Sequence, residues 1–138
     1  HRARDDCAGW GGLLSTSAVL KSVAGVICDG VVRDLDESEE LGLPVFARGA
    51  TPVTARNRVM ETSTNQPIEV EGVAVNPGDY VLADGSGVVF IPAGRVGDVL
   101  KTARELLVFE DGIRAAVGAG RAIGDVMNRS YETLLKKG

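Results

Sequence analysis

The sequence is short of the residues on which most enzymes build acid–base and redox chemistry. Its one histidine is the first residue, His1. A terminal side chain is poorly held, so general-base or zinc chemistry built on imidazole has no placed candidate. The two cysteines, Cys7 and Cys28, form no Cys-x-x-Cys pair, which excludes a zinc knuckle and a dithiol redox motif. Cys28 stands in an apolar run, where a thiol packs rather than reacts, and two reduced cysteines fit a cytoplasmic protein. Aromatic residues are 4% of the chain, too few for a base-stacking platform. Basic residues form no run longer than Lys136-Lys137 and the net charge is −4, so neither side of the nucleic-acid footprint is present. No apolar stretch is long enough to span a membrane, and the charged start HRARDD is not followed by the apolar core of a leader. Internal repeats and low-complexity segments are absent too. If the chain is an enzyme, it works with carboxylates, arginines, backbone amides and a metal.

What is present fits one α/β domain over 1–138: the chain is 44% hydrophobic and 25% charged, with 18 glycines. The rest is organised around Ala24 to Leu35, AGVICDGVVRDL. Ala24 to Cys28 is a continuous apolar run, the pattern of a strand buried on both faces. Past Asp29-Gly30 the chain delivers Arg33 and Asp34 side by side. A guanidinium grips a carboxylate bidentately and an aspartate holds a hard cation, so the pair marks a site for a small anion and a metal.

Upstream, Gly9-Trp10-Gly11-Gly12 precedes a helical pattern in which Leu13, Leu14, Val19 and Leu20 fall near one stripe. Amides at such a helix start point outward, and the helix dipole favours an anion there. Tight turns use glycine as well, so this turn has a purely structural reading beside the functional one. Downstream, DLDESEEL reads as a short helix with Asp34 near its start, and its further carboxylates as a solvated face. Leu43 to Ala47 is the next strand. Arg48 to Gln66 reads as a long loop whose Arg48, Arg56 and Arg58 are candidates for substrate contact. From Pro67 the period changes to two: Ile68 and Val70 face Val73 and Val75 across Glu71-Gly72, and Tyr80 to Ala83 faces Val88 to Ile91 across Asp84-Gly85-Ser86-Gly87. Helical spacing returns from Val96, stops at Gly118 and Gly120, and resumes over Ile123 to Leu135.

Taken in order, WGGLL, GVICDGVVRDLDE, LPVFARG and GVAVNPGDYVLADGSGVVFIP resemble one family, that of the regulator of ribonuclease E activity A and the class II 4-hydroxy-4-methyl-2-oxoglutarate aldolases. The resemblance runs from Cys7 to about Gly124. It implies an α-β-β-α sandwich of the swivelling β/β/α type, of which this chain carries the C-terminal two-thirds, assembled as trimers or hexamers with sites between subunits. It implies aldol cleavage of 4-hydroxy-2-oxo acids or decarboxylation of oxaloacetate through a pyruvate enolate, with Mg2+ or Mn2+. By motif match Arg33 binds the substrate carboxylate, Asp34 ligates the metal, and the amides of Gly9, Trp10, Gly11, Gly12 and Leu13 hold the oxo acid. Glu110 matches the carboxylate lent by a neighbouring subunit. The alternatives are a non-catalytic regulator of the ribonuclease type and a different lyase or hydratase reaction on the same scaffold.

Two departures stand out. The aldolases carry an acid/base carboxylate upstream of the Arg-Asp pair where this chain has Gly12. Asp5, Asp6 and Glu37 are the expected substitutes, with Glu37 in the catalytic set. The family's segment ahead of the glycine turn is also not in this sequence. The expectation is that a second chain supplies it, as a hetero-oligomer, or that the protein is cleaved or split.

Overall fold

The computed structural model describes residues 1–127, folded as two compact units that divide between Phe90 and Ile91. The first unit holds α1 (Gly12–Leu20), β1 (Val26–Val32), α2 (Leu35–Glu40), β2 (Val45–Ala50), β3 (Ile68–Val70), β4 (Val73–Val75), β5 (Tyr80–Asp84) and β6, which runs from Gly87 to Ile91. Its centre is the parallel pair β1–β2, with α2 as the crossover that parallel strands require. Val26 faces Val45 and Cys28 faces Ala47, and the register then shifts before Val31 meets Gly49.

That shift falls at Asp29-Gly30, which is part of the strand and not its end. Gly30 has φ +152°, and a Cβ on it would come within 2.7 Å of the Arg4 carbonyl oxygen. Only glycine lets the N-terminal segment lie along this edge, where Ala3 donates to the Asp29 carbonyl at 2.8 Å and Val31 to that of Arg4 at 3.1 Å. Further along, Gly9 donates to Val31 at 2.8 Å and Arg33 to the carbonyl of Trp10 at 3.0 Å. The strand therefore runs between β2 on one edge and residues 3–10 on the other.

Cys7, Ala8, Ala18, Val32 and Leu43 are buried in this unit. Two expectations about burial are corrected. Val26 to Asp29 are half-covered, and only Gly30 and Val32 of β1 are buried. On α1 the buried residues are Gly12, Ser15 and Ala18, while Leu13 is 85% and Leu20 82% exposed. Small residues at i, i+3 and i+6 allow α1 to approach α2 closely, and this phase turns the leucines outward.

Both hairpins form. β3 and β4 pair antiparallel with Ile68 opposite Val75, and β5 pairs with β6. Asp84 serves the second turn by accepting the Ser86 amide at 2.7 Å, the backbone duty usual for aspartate before glycine. The loop prediction begins too early, since Arg48 lies within β2. The second unit contains a 3₁₀ turn at Ala93–Arg95, α3 (Val96–Gly118) and α4 (Ile123–Val126). The rest of the helix expected over Ile123 to Leu135 lies outside the described residues. Among the described residues no helix is long and apolar enough to cross a membrane.

Candidate functional site

β1 ends at Val32 and α2 starts at Leu35, so Arg33 and Asp34 form the whole connection. Asp34 sits in the left-handed region, φ 57° and ψ 42°. Aspartate tolerates that region better than most residues, but the conformation still costs about 1 kcal/mol. Its carboxylate does not cap α2. It turns instead to the start of α1, where Oδ2 accepts the Gly12 amide at 3.0 Å and lies 3.3 Å from Arg33 Nε. With both side chains more than a third exposed, that ion pair contributes at most about 1 kcal/mol to folding. Stability is a weak reason for so constrained a pair.

Gly11 explains how the groups meet. A Cβ there would stand 2.9 Å from Arg33 Nε and 3.0 Å from Asp34 Oδ2. Its φ of −169° suits any residue, so the need for glycine is steric: guanidinium and carboxylate lie flat against its backbone. Gly12 repeats the arrangement with a different partner. A methyl group built on Gly12 would overlap the carboxylate of Glu37, which fills the space a side chain would take. The glycine turn, Arg33, Asp34 and Glu37 thus converge on the first turn of α1.

A buried hydrogen-bond chain holds the two helices in this relation. Trp10 Nε1 donates to Ser15 Oγ at 2.8 Å, and Ser15 Oγ is 2.7 Å from Ser38 Oγ. Ser38 Oγ donates to the Asp34 carbonyl at 3.2 Å. Ser15 is fully buried and Ser38 is 2% exposed. Donation running one way, Trp10 to Ser15 to Ser38 to Asp34, satisfies every group, as burial demands. Sequence reasoning missed both serines. The available signal was spacing: each lies four residues after a site residue, Gly11 and Asp34, the distance at which a helical serine bonds back to a carbonyl.

The other predicted residues are placed as follows. The Gly9 amide is engaged by Val31, and the Trp10 indole faces Ser15. Leu13 lies on the first turn of α1, exposed. Asp6 is gripped by Arg4 at 2.8 and 2.7 Å, which holds its carboxyl down at about 2. Arg48 pairs with Asp29 at 2.8 Å and also with Glu71, while Arg58 bonds to the carbonyl of Thr54. Cys7 and Cys28 are free thiols, and burial pushes Cys28 up, against thiolate reactivity. Glu110 belongs to the second unit, on α3, where Arg114 reaches it at 3.1 Å.

The donor set was tested for a divalent cation. Among the described residues no group of three or more His, Cys, Asp or Glu is arranged as a closed metal cage. Magnesium and manganese do not need one. They are commonly held by one or two carboxylates, with water and substrate oxygens completing the shell. Asp34 fits that pattern, because the Gly12 and Arg33 contacts both fall on Oδ2 and leave Oδ1 available.

Comparison with known proteins places this geometry in context. Residues 1–90 match the model of the RraA-like family, described as Aldolase/RraA. Protein DlpA of Legionella pneumophila is 32% identical over 118 residues, covering 86% of this chain and 19% of that protein. A 4-hydroxy-4-methyl-2-oxoglutarate aldolase of Thermus thermophilus is 37% identical over 82 residues, covering 59% of this chain and 49% of the enzyme. The chain therefore spans half or less of these two curated relatives. Among solved structures, Streptomyces coelicolor RraAS2, a member of the RNase ES inhibitor RraA protein family, superposes with a TM-score of 0.68 at 28% identity. That match covers 79% of this chain and 56% of the other.

Proposed function

We propose, from the premise that this chain belongs to the RraA-like Aldolase/RraA family and has its mixed α/β fold, that it provides the site of a carbon–carbon lyase acting on a 2-oxo or hydroxy acid. The single observation that carries the reading is the convergence of Arg33, Asp34 and the start of α1 on Gly11.

Each group has a task there. The Arg33 guanidinium provides a planar, permanently charged fork for the substrate carboxylate. The first-turn amides of α1 and its dipole stabilise negative charge that grows on the 2-oxo oxygen as the bond breaks, the kind of fixed polar environment that lowers such barriers most. Asp34 would hold Mg2+ or Mn2+, and a divalent cation supplies Lewis-acid polarisation of the 2-oxo group when bound. The fixed connection between β1 and α2 orients Arg33 and Asp34 together. Assembly into trimers or hexamers, or with a chain carrying the rest of the family domain, belongs to the same proposal. So does a contribution from Glu110 of a neighbouring copy.

A second reading, regulation through protein contacts, is favoured by two observations: the likeness to RraAS2, and Gly12, which brings no carboxylate of its own to the site. Pyruvate release from oxaloacetate with Mg2+ or Mn2+ separates the two. The lyase reading expects release that falls at least ~10²-fold in Asp34→Ala and in Arg33→Ala, the loss typical for removing one charge-stabilising group. No release from the protein in its native assembly, together with no effect of Asp34→Ala, would leave the regulatory reading standing.

A further inference from the structure

We propose that Glu37 is the proton-transfer residue of this site, reaching from α2 into the space that Gly12 leaves open. The inference rests on the lyase reading and deepens it, since cleavage of a hydroxy-oxo acid needs a base that neither Arg33 nor an ion-bound Asp34 supplies.

The carboxylates of the first unit narrow the choice. Asp6 is held bidentately by Arg4, which in turn is tied to the Arg58 carbonyl at 2.9 Å. Asp29 is bound by Arg48, and Asp34 Oδ2 is taken by Gly12 and Arg33. Glu37 has no ion-pair or hydrogen-bond partner among the described residues. It lies three residues after Asp34 on the same short helix, so both side chains leave one face of α2. Asp34 covers the bare backbone of Gly11, and Glu37 covers that of Gly12, the next residue along. Any larger residue at position 12 would expel the Glu37 carboxylate from the mouth of the site. The pair Gly12 and Glu37 therefore works as one unit, in which the helix start donates room and α2 donates the acid.

The reaction balances with that one group. The Glu37 carboxylate takes the proton of the substrate C4 hydroxyl. The C3–C4 bond breaks, its electron pair forms the C2–C3 double bond of the enolate, and the C4 oxygen becomes a carbonyl. The neutral Glu37 acid then returns the proton to C3, giving the methyl group of pyruvate and restoring the carboxylate.

Two measurements test this on the protein with Mg2+: exchange of the pyruvate C3 protons for deuterium in D2O, followed by proton NMR, and decarboxylation of oxaloacetate. Breaking a carbon–carbon bond by decarboxylation needs no prior proton removal. Glu37→Gln is expected to slow exchange by ~10²-fold to 10⁴-fold, the usual contribution of a positioned acid–base group, and to reduce decarboxylation far less. Gly12→Asp in a Glu37→Ala background is expected to recover part of the exchange by bringing a carboxylate back from the helix start. Exchange at the wild-type rate in Glu37→Gln overturns the assignment and leaves the lyase reading intact. Wild-type protein that neither exchanges nor decarboxylates removes the lyase reading and the assignment with it.

Discussion

The serine pair between α1 and α2 makes an asymmetric prediction. Ser15 Oγ has two partners, accepting from Trp10 Nε1 at 2.8 Å and lying 2.7 Å from Ser38 Oγ. Ser15→Ala removes both contacts and leaves a half-buried indole N–H without its acceptor. A neutral hydrogen bond is worth about 1 kcal/mol net and an unsatisfied buried group costs about 1–3 kcal/mol, so a destabilisation of about 2–3 kcal/mol is expected. Ser38→Ala is milder. Ser15 Oγ can swing its proton to the Gly11 carbonyl, already 3.4 Å away, and the Asp34 carbonyl keeps the Ser38 amide at 3.1 Å. That variant should lose about 1 kcal/mol, one net hydrogen bond. Because the two hydroxyls bond to each other, the double variant should fall short of the summed losses by about 1 kcal/mol, within the range seen for contacting residues. Urea unfolding followed by tryptophan fluorescence measures all three, and Trp10 is the only tryptophan, so the probe sits at the head of the chain of bonds. Equal losses for the two single variants, or strict additivity, would refute the one-way donation from Trp10 to Asp34.

Two further outcomes follow from the contacts around the site. Gly11→Ala, whose Cβ would press on Arg33 Nε and Asp34 Oδ2, should raise KM for oxaloacetate about 10-fold, since a hydrogen bond to a charged group is worth about 1.5–3 kcal/mol; an unchanged KM would separate Arg33 from substrate binding. Arg4 holds the Asp6 carboxyl at about 2 in the folded chain, below the ~3.9 of an unfolded aspartate. Its stabilising contribution is therefore complete above ~pH 4 and disappears as the pH falls through about 2. Acid titrations of stability for wild type and Asp6→Asn should differ above that window and converge below it, and curves that stay parallel would count against the pairing.

Local chemistry made much of this protein legible in its sequence. The Glu71-Gly72 and Asp84-Gly85 turns between alternating valines specify hairpins, because turn and strands are neighbours in the chain. The adjacent Arg33 and Asp34 announce an anion and cation site in the same way, since no folding is needed to bring them together. The crossover from β1 through α2 to β2 was readable from apolar runs separated by one short polar helix.

Tertiary structure decided what depends on contact between distant segments. The leucines of α1 read as a core stripe, yet α2 packs on Gly12, Ser15 and Ala18, because two helices joined by a serine–serine hydrogen bond must approach more closely than leucines permit. Gly12 alone reads as a lost carboxylate. Only the packing of α2 on α1 shows that its missing side chain is the room into which Glu37 fits.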